Sequence, residues 1–321
     1  MNAASKVRGR TAISERPPWA GAIEAVARGK LSWAEPMARR TTLGVGGPAD
    51  LFYEPDGPET LVEVLSVIRR ERIPYTVVGG GSNLLVGDGG IRGLTLHLSP
   101  EFGERVVRHR GKDTLEVTFP AGTPTGEVRR FAREEGVVGP EFLIGIPGSL
   151  GGALQMNAGT RLGEMVDVVV HAQVAHPEGL LTIPAADLRF AYREATLPPG
   201  GIVTSVTLAF HRAGPEEVAA AQAEAEEELG RRRRTQPRGR SAGSVFKNPP
   251  GDYAGRLIEE AGLKGRTVGD AQVSEVHANF IINRGKATSA QVLKLIELCR
   301  REVRARSGIG LELEVRLLGE F

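Results

Sequence analysis

The chain is 321 residues long, 40% hydrophobic and 25% charged, with a formal net charge of +2. That balance excludes a disordered or fibrous chain, and the length suffices for two or three lobes with proper cores. A charge so near neutral, with basic residues dispersed apart from Arg231 to Arg234, gives no reason to expect a nucleic-acid partner.

Residues 1–18 read as a loose tail, because "MNAASKVRGRTAISERPP" lacks the apolar core of a signal peptide. No later stretch reaches the roughly eighteen consecutive apolar residues of a membrane span, so no membrane partner is expected. Residues 19–112 are expected to form a first α/β lobe, with strand "ADLFYEP", helix "GPETLVEVLSVIRRERI", and strands "YTVVGGG" and "LTLHL". A second lobe over 113–212 holds strand "TLEVTFPAG", helix "TPTGEVRRFAREEG", the glycine-rich "IGIPGSLGGALQMNAG", and strands near "MVDVVVHAQVAH", "LLTIP" and "GGIVTSVTLAF". Residues 213–321 form a third, smaller α+β unit. It opens with the helix "PEEVAAAQAEAEEELGRRRR", whose early acids and late arginines suit the helix macrodipole. A loop "RSAGSVFKNPP" follows, then helix "DYAGRLIEEAGLKG", strand "NFIIN", helix "SAQVLKLIELCRREVRARSG" and a closing strand "LELEVRLLG". The lone Cys299 lies in that last helix, where a small apolar residue would serve equally. Disulfides and cysteine-bound metals therefore have no support, and a reducing, cytoplasmic setting is the default.

Several motifs fail on context. "GVGGPA", Gly44 to Ala49, matches the GxGxxA dinucleotide fingerprint, but Pro48 interrupts it and a strand follows instead of a helix. There is no GxxxxGK[ST] loop, no HExxH and no CxxC, and "PGSLG" misses the GxSxG elbow by its first glycine. Two glycine-rich turns remain, "VVGGGSNLLV" and "IGIPGSLGGALQMNAG", each directly after an apolar strand. Without side chains, consecutive backbone N–H groups can converge on an anion, and Ser82, Asn83, Ser149 and Asn157 add side-chain donors. Two such turns can grip one pyrophosphate.

Asparagine is scarce in this chain, six against thirty-four arginines, yet Asn83, Asn157, Asn248, Asn279 and Asn283 all fall in the motif clusters. Either these amides do something that arginine, glycine or serine cannot, or they serve turns, which asparagine also favours. "RFAYREA" ends an element with Tyr192 and Arg193, and an arginine can clamp a carboxylate through paired hydrogen bonds. In "LELEV", period-two alternation puts Glu312 and Glu314 on one face of the last strand. Ser244, in "SAGSVFKNPP", is the candidate active-site serine, with Lys247 and Asn248 on the same loop.

Together, "TTLGVGGPAD", "TVVGGGSNLLV", "GIPGSLGGALQMNAG", "YRE", "SAGSVFKNP", "NFIIN" and "LELEV" resemble, in order and spacing, the UDP-N-acetylenolpyruvoylglucosamine reductases over residues 36–321. The resemblance implies an α+β fold: a two-lobed FAD-binding region of the vanillyl-alcohol-oxidase type plus a smaller substrate-binding domain. It implies FAD held without a covalent bond, and the 79–86 turn indeed contains no histidine or cysteine to attach it. Cofactor contacts are expected from Val78, Gly79, Gly80, Gly81, Ser82, Asn83 and Leu84, and from Gly145, Ile146, Pro147, Gly148, Ser149, Gly151, Gly152, Asn157, Ala158, Gly159 and Ile202. Ser244, Arg193 and Glu314 take the family's catalytic positions, and Tyr192, Lys247, Asn248 and Asn279 are expected to bind substrate. NADPH is the implied reductant, UDP-N-acetylglucosamine-enolpyruvate the implied substrate, and a monomer the implied state. The chain departs from the family pattern at Ala195, where serine is frequent. The short stretch between Arg193 and Ser244 leaves no room for a tyrosine-bearing loop and marks the shorter, second type. Competing readings are an oxidase on the same fold, a nucleotide-sugar-binding protein without redox chemistry, and a serine hydrolase using Ser244.

Overall fold

The computed structural model describes residues 16–110 and 112–321. Of the expected tail over 1–18, residues 1–15 lie outside them. The fold is α+β, built on three sheets.

In the first sheet, strands Gly29–Pro36, Pro48–Pro55, Ile91–His97 and Tyr75–Val78 lie side by side in that order. Helix Pro58–Glu71 covers it. Pro58 pre-sets the first helical turn, and the helix ends at Arg72 in the left-handed region, φ 52. Leu61, Val64, Leu65 and Ile68 recur at helical spacing and are buried against the strands. Strand Gly29–Pro36 went unread in the sequence; it pairs antiparallel with Pro48–Pro55, from Gly29 opposite Pro55 to Pro36 opposite Pro48.

The second sheet runs Gly179–Pro184, Val169–His176, Ile202–Arg212, Thr114–Pro120 and Val106–Arg110, every pair antiparallel. Ile202–Arg212 is central and buries seven of its eleven residues, Ile202, Val203, Val206, Leu208 and Phe210 among them. Helix Thr125–Glu135 packs Val128, Phe131 and Ala132 inward and ends at Gly136, φ 64. A single apolar core runs from Ile23 through both lobes to Phe210, so the two sheets are fused rather than hinged.

The third unit follows the helix Pro215–Thr235, in which only Ala225 and Glu228 are buried. Its sheet runs Arg240–Ser244, Phe280–Asn283, Ala271–Val273 and Thr267–Val268. Helix Ser289–Ser307 closes one face with Val292, Leu295, Ile296, Cys299 and Val303.

Two expectations change here. "RSAGS" is not loop but an edge strand, and its register with Phe280–Asn283 shifts between Ser241 and Ser244, where Gly243 adopts φ 74. Such a bulge re-aims the following side chain. The closing segment is not one strand of the third unit. Leu313 forms an isolated bridge with Phe246, and Arg316–Leu318 then leaves to pair in parallel with Leu84–Val86 beside the first glycine turn. The end of the chain thereby joins the third unit to the first lobe, and Leu43, Val45 and Leu85 contribute to the third unit's core.

Candidate active site

Strand Tyr75–Val78 delivers the first glycine turn. Gly81 has φ +66, and a Cβ there would lie 1.9 Å from the Arg40 carbonyl oxygen, so no other residue fits. The second turn, Gly145 to Gly148, meets it directly: a Cβ on Gly80 would lie 2.7 Å from Gly148 Cα. Ser82 Oγ ties the two turns by donating to the Pro147 carbonyl at 3.1 Å. Among the described residues, the N–H groups of Gly80, Gly81 and Ser82 donate to no backbone carbonyl, leaving donors for an anion.

Beside this junction lies a cavity of about 520 Å³. Val78, Gly79, Ser149, Gly151, Gly152 and Ile202, all among the expected cofactor contacts, line it together with apolar Leu98 and basic Arg316. Leu84, Gly145, Ile146, Pro147 and Gly148 build the turns and their flanking backbone. Ala158 and Gly159 lie outside this cavity wall, where Gly159–Thr160 pairs with Gly163–Glu164. Open amides and a partly apolar cavity suit a diphosphate-bearing cofactor such as FAD.

The predicted catalytic residues converge on the other side of the first turn. A Cβ at Gly243 would sit 3.9 Å from the Ser82 carbonyl oxygen, so the Ser244 strand abuts the turn. Residues 245–247 and 312–314 form a short ribbon: Glu314 N donates to Val245 O at 2.9 Å and Lys247 N to Glu312 O at 2.9 Å. Glu314 points inward, its side chain 15% exposed, with Oε1 3.0 Å from Arg193 Nε. That Nε–H is buried and not aimed at the carboxylate, so it has no acceptor. Burial pushes the Glu314 carboxyl above its ordinary pKa, while Arg193 pulls the other way. Glu312, 74% exposed, instead receives Lys247 Nζ at 2.8 Å, and this bond raises the lysine pKa.

Arg193 stands on an irregular turn. Ala191 and Glu194 exchange both backbone hydrogen bonds around it, and Arg193 itself holds φ 61, a costly conformation for a non-glycine residue. Its guanidinium lies 5.1 Å from the Tyr192 ring centroid, and Tyr192 is exposed. Ala195 is buried and bonded through its N–H to Gln155 O, so Arg193 takes its support from Glu314 and Tyr192.

The asparagines are the main surprise. Asn157 is 2% exposed, receives the Val166 N–H and donates to Ala191 O. Asn279, 4% exposed, receives the Phe246 N–H at 2.9 Å and donates to Phe246 O at 2.8 Å. Asn83 donates to Glu314 O at 3.0 Å. Asn248 Oδ1 accepts from Ala254 N at the start of helix Ala254–Glu260. The side chains of Asn83, Asn157 and Asn279 thus engage backbone, where the sequence reading has them reaching ligands. Sequence reasoning also missed Arg232, which it read only as a dipole partner. Arg232 Nη2 donates to Gly145 O at 3.1 Å, bracing the second turn. Burial lowers its pKa; Glu228 opposes this, and Arg231 and Arg193 add to it.

Two interlocked glycine turns beside a cavity, with Arg193 of the second lobe paired to Glu314 next to the Ser244 strand of the third unit, fit an FAD-binding flavoprotein. Residues 49–183 match the model of an FAD binding domain, and residues 235–318 match that of the UDP-N-acetylenolpyruvoylglucosamine reductase C-terminal domain. A protein of Anaeromyxobacter sp. (strain Fw109-5) with that reductase name is 47% identical over 94% of this chain and 93% of its own. One from Myxococcus xanthus (strain DK1622) is 43% identical over 97% and 98%. The crystal structure of the reductase from Thermus caldophilus superposes with a TM-score of 0.74 at 40% identity, covering 91% of this chain and 99% of that one. The chain belongs to the UDP-N-acetylenolpyruvoylglucosamine reductase family.

Proposed function

We propose that this protein uses NADPH and non-covalent FAD to reduce the enolpyruvyl double bond of UDP-N-acetylglucosamine-enolpyruvate, giving UDP-N-acetylmuramate for peptidoglycan synthesis. It acts as a cytoplasmic monomer without nucleic-acid or membrane partners. No helix among the described residues is long and apolar enough to cross a membrane. The observation that carries the reading is the Arg193–Glu314 pair, which holds a buried N–H without an acceptor beside the Ser244 strand.

Bound FAD supplies the relay that takes hydride from NADPH and gives it to C3 of the enolpyruvyl group. Gly80, Gly81 and Ser82 hold its diphosphate through their open N–H groups. Negative charge then develops at C2 and spreads into the substrate carboxylate. Arg193 meets that charge as it grows, and its buried Nε–H, without an acceptor in the protein, is a donor available to it, which lowers the barrier instead of merely tightening binding. Glu314, its pKa raised by burial, shares a proton with the same carboxylate. Ser244 delivers its hydroxyl proton to C2 and recovers one from solvent, so the double bond gains one hydride and one proton. Lys247, Asn248 and Tyr192 hold the sugar nucleotide at the rim.

The test is NADPH oxidation with each partner withheld in turn. Oxidation that requires the enolpyruvyl sugar, with a product heavier by two hydrogens, supports the reading; oxidation that proceeds with oxygen alone overturns it in favour of an oxidase.

A further inference from the structure

The three residues assigned to the chemistry share an awkward feature: none sits in the middle of a regular element. Arg193 is on a tight turn at φ 61, Ser244 follows a bulge, and Glu314 lies between an isolated bridge and a three-residue strand. Each nevertheless has one scarce asparagine bonded to its own stretch of backbone. Asn157 donates to Ala191 O, in the bridge that closes the Arg193 turn, while holding the Val166 N–H at 3.1 Å. Asn279 clasps both backbone groups of Phe246, two residues after Ser244, and its own carbonyl receives the Val245 N–H at 2.8 Å. Asn83 donates to the carbonyl of Glu314 itself, and its backbone oxygen receives the Arg316 N–H at 3.0 Å.

We propose that Asn83, Asn157 and Asn279 are positioning residues, each setting the backbone that carries one of Glu314, Arg193 and Ser244. The chemistry explains the residue choice. A carboxamide carries a donor and an acceptor on a short side chain, so it can satisfy a C=O and an N–H of irregular backbone together. Serine offers a single oxygen, aspartate at neutral pH only accepts, and arginine and lysine only donate. Asn283 shows the same habit away from the chemistry, donating to Leu43 O and receiving Gly285 N and Ala287 N. Asn83 is also a shared point: it belongs to the first glycine turn and holds the residue that faces Arg193.

This inference rests on the proposed function for its kinetics, so the test has a second readout. Asn279→Ala and Asn157→Gly are the variants, glycine being chosen because position 157 has φ 38. Anaerobic stopped-flow separates flavin reduction by NADPH from its reoxidation by the enolpyruvyl sugar. Reoxidation slows about 10–100-fold, the loss that follows from roughly 1 Å of misplacement, while reduction changes by less than about threefold. Hydrogen exchange of the Phe246 amide rises in Asn279→Ala, and that of Val166 in Asn157→Gly, with the Ile202–Arg212 strand still protected. Asn279→Asp, which keeps only the acceptor, falls between wild type and Ala. Equal loss in both half-reactions, unchanged reoxidation, or loss confined to melting temperature overturns the proposal. Failure of wild-type flavin to respond to the two substrates would count against the function instead, and the exchange result would still stand or fall by itself.

Discussion

Replacing Gly80 with alanine tests the interlock on which the cofactor site depends. The new methyl would lie 2.7 Å from Gly148 Cα and 3.1 Å from Gly148 C. Carbon atoms need about 3.5–4.0 Å, so the two turns must part by roughly 1 Å. Both contacts are backbone, which cannot rotate away. The Ser82 Oγ to Pro147 O bond, 3.1 Å in the native protein, would stretch past the length at which it still counts as a hydrogen bond. Overpacking of this kind costs about 1–3 kcal/mol. Because the strain sits in the turns proposed to hold FAD, and not in the fused core of the lobes, it should appear mainly in cofactor affinity: about 10–100-fold, at about 1.4 kcal/mol per tenfold. Quenching of FAD fluorescence on titration into apoprotein gives the constant. Binding within twofold of wild type would refute the argument that the two turns hold one ligand together.

Ser244→Ala should leave NADPH-dependent bleaching of the flavin nearly intact and slow its reoxidation by the enolpyruvyl sugar by at least the ~10²–10⁴ typical of a general acid; equal losses would remove Ser244 from that role. Glu314→Gln should behave in the same way, whereas Glu312→Gln, losing an exposed partner of Lys247, should be mild in single-turnover assays. Exchanged behaviour would mean that the ribbon is read one pleat off. Glu228 carries a pH signature: hydrogen bonding to Arg231 and then Arg161, against the opposing effect of burial, lowers its pKa from 4.5 to about 2. Its share of stability is complete above about pH 4.5 and is lost as pH falls toward 2. Thermal melts of Glu228→Gln should therefore lie below wild type at pH 7 and converge with it in acid, and parallel curves at all pH values would contradict this.

Much of the two lobes was legible because their apolar runs and glycine punctuation obey simple periods. Ile202–Arg212 and Pro58–Glu71 fall where the pattern puts them. Gly29–Pro36 was not legible, since Leu31 and Trp33 are its only large apolar residues and its pairing with Pro48–Pro55 makes it a strand. "RSAGS" reads as loop by composition, yet it is held as a strand by partners some forty residues away in sequence. The departure of Arg316–Leu318 to the first lobe is likewise a long-range pairing that no local propensity records. At the site, residue types gave Ser244, Arg193 and Glu314 through resemblance. The backbone bonding of the asparagines was visible only as an anomaly of composition, and Arg232 was hidden inside a run that the macrodipole already explained.

The most direct test of the central claim is an anaerobic visible spectrum of the FAD-loaded protein, recorded before NADPH, after NADPH, and after UDP-N-acetylglucosamine-enolpyruvate. The account predicts a flavin band that bleaches with NADPH and returns when the enolpyruvyl sugar is added. A band that stays bleached until oxygen is admitted, or protein that takes up no FAD, would contradict it.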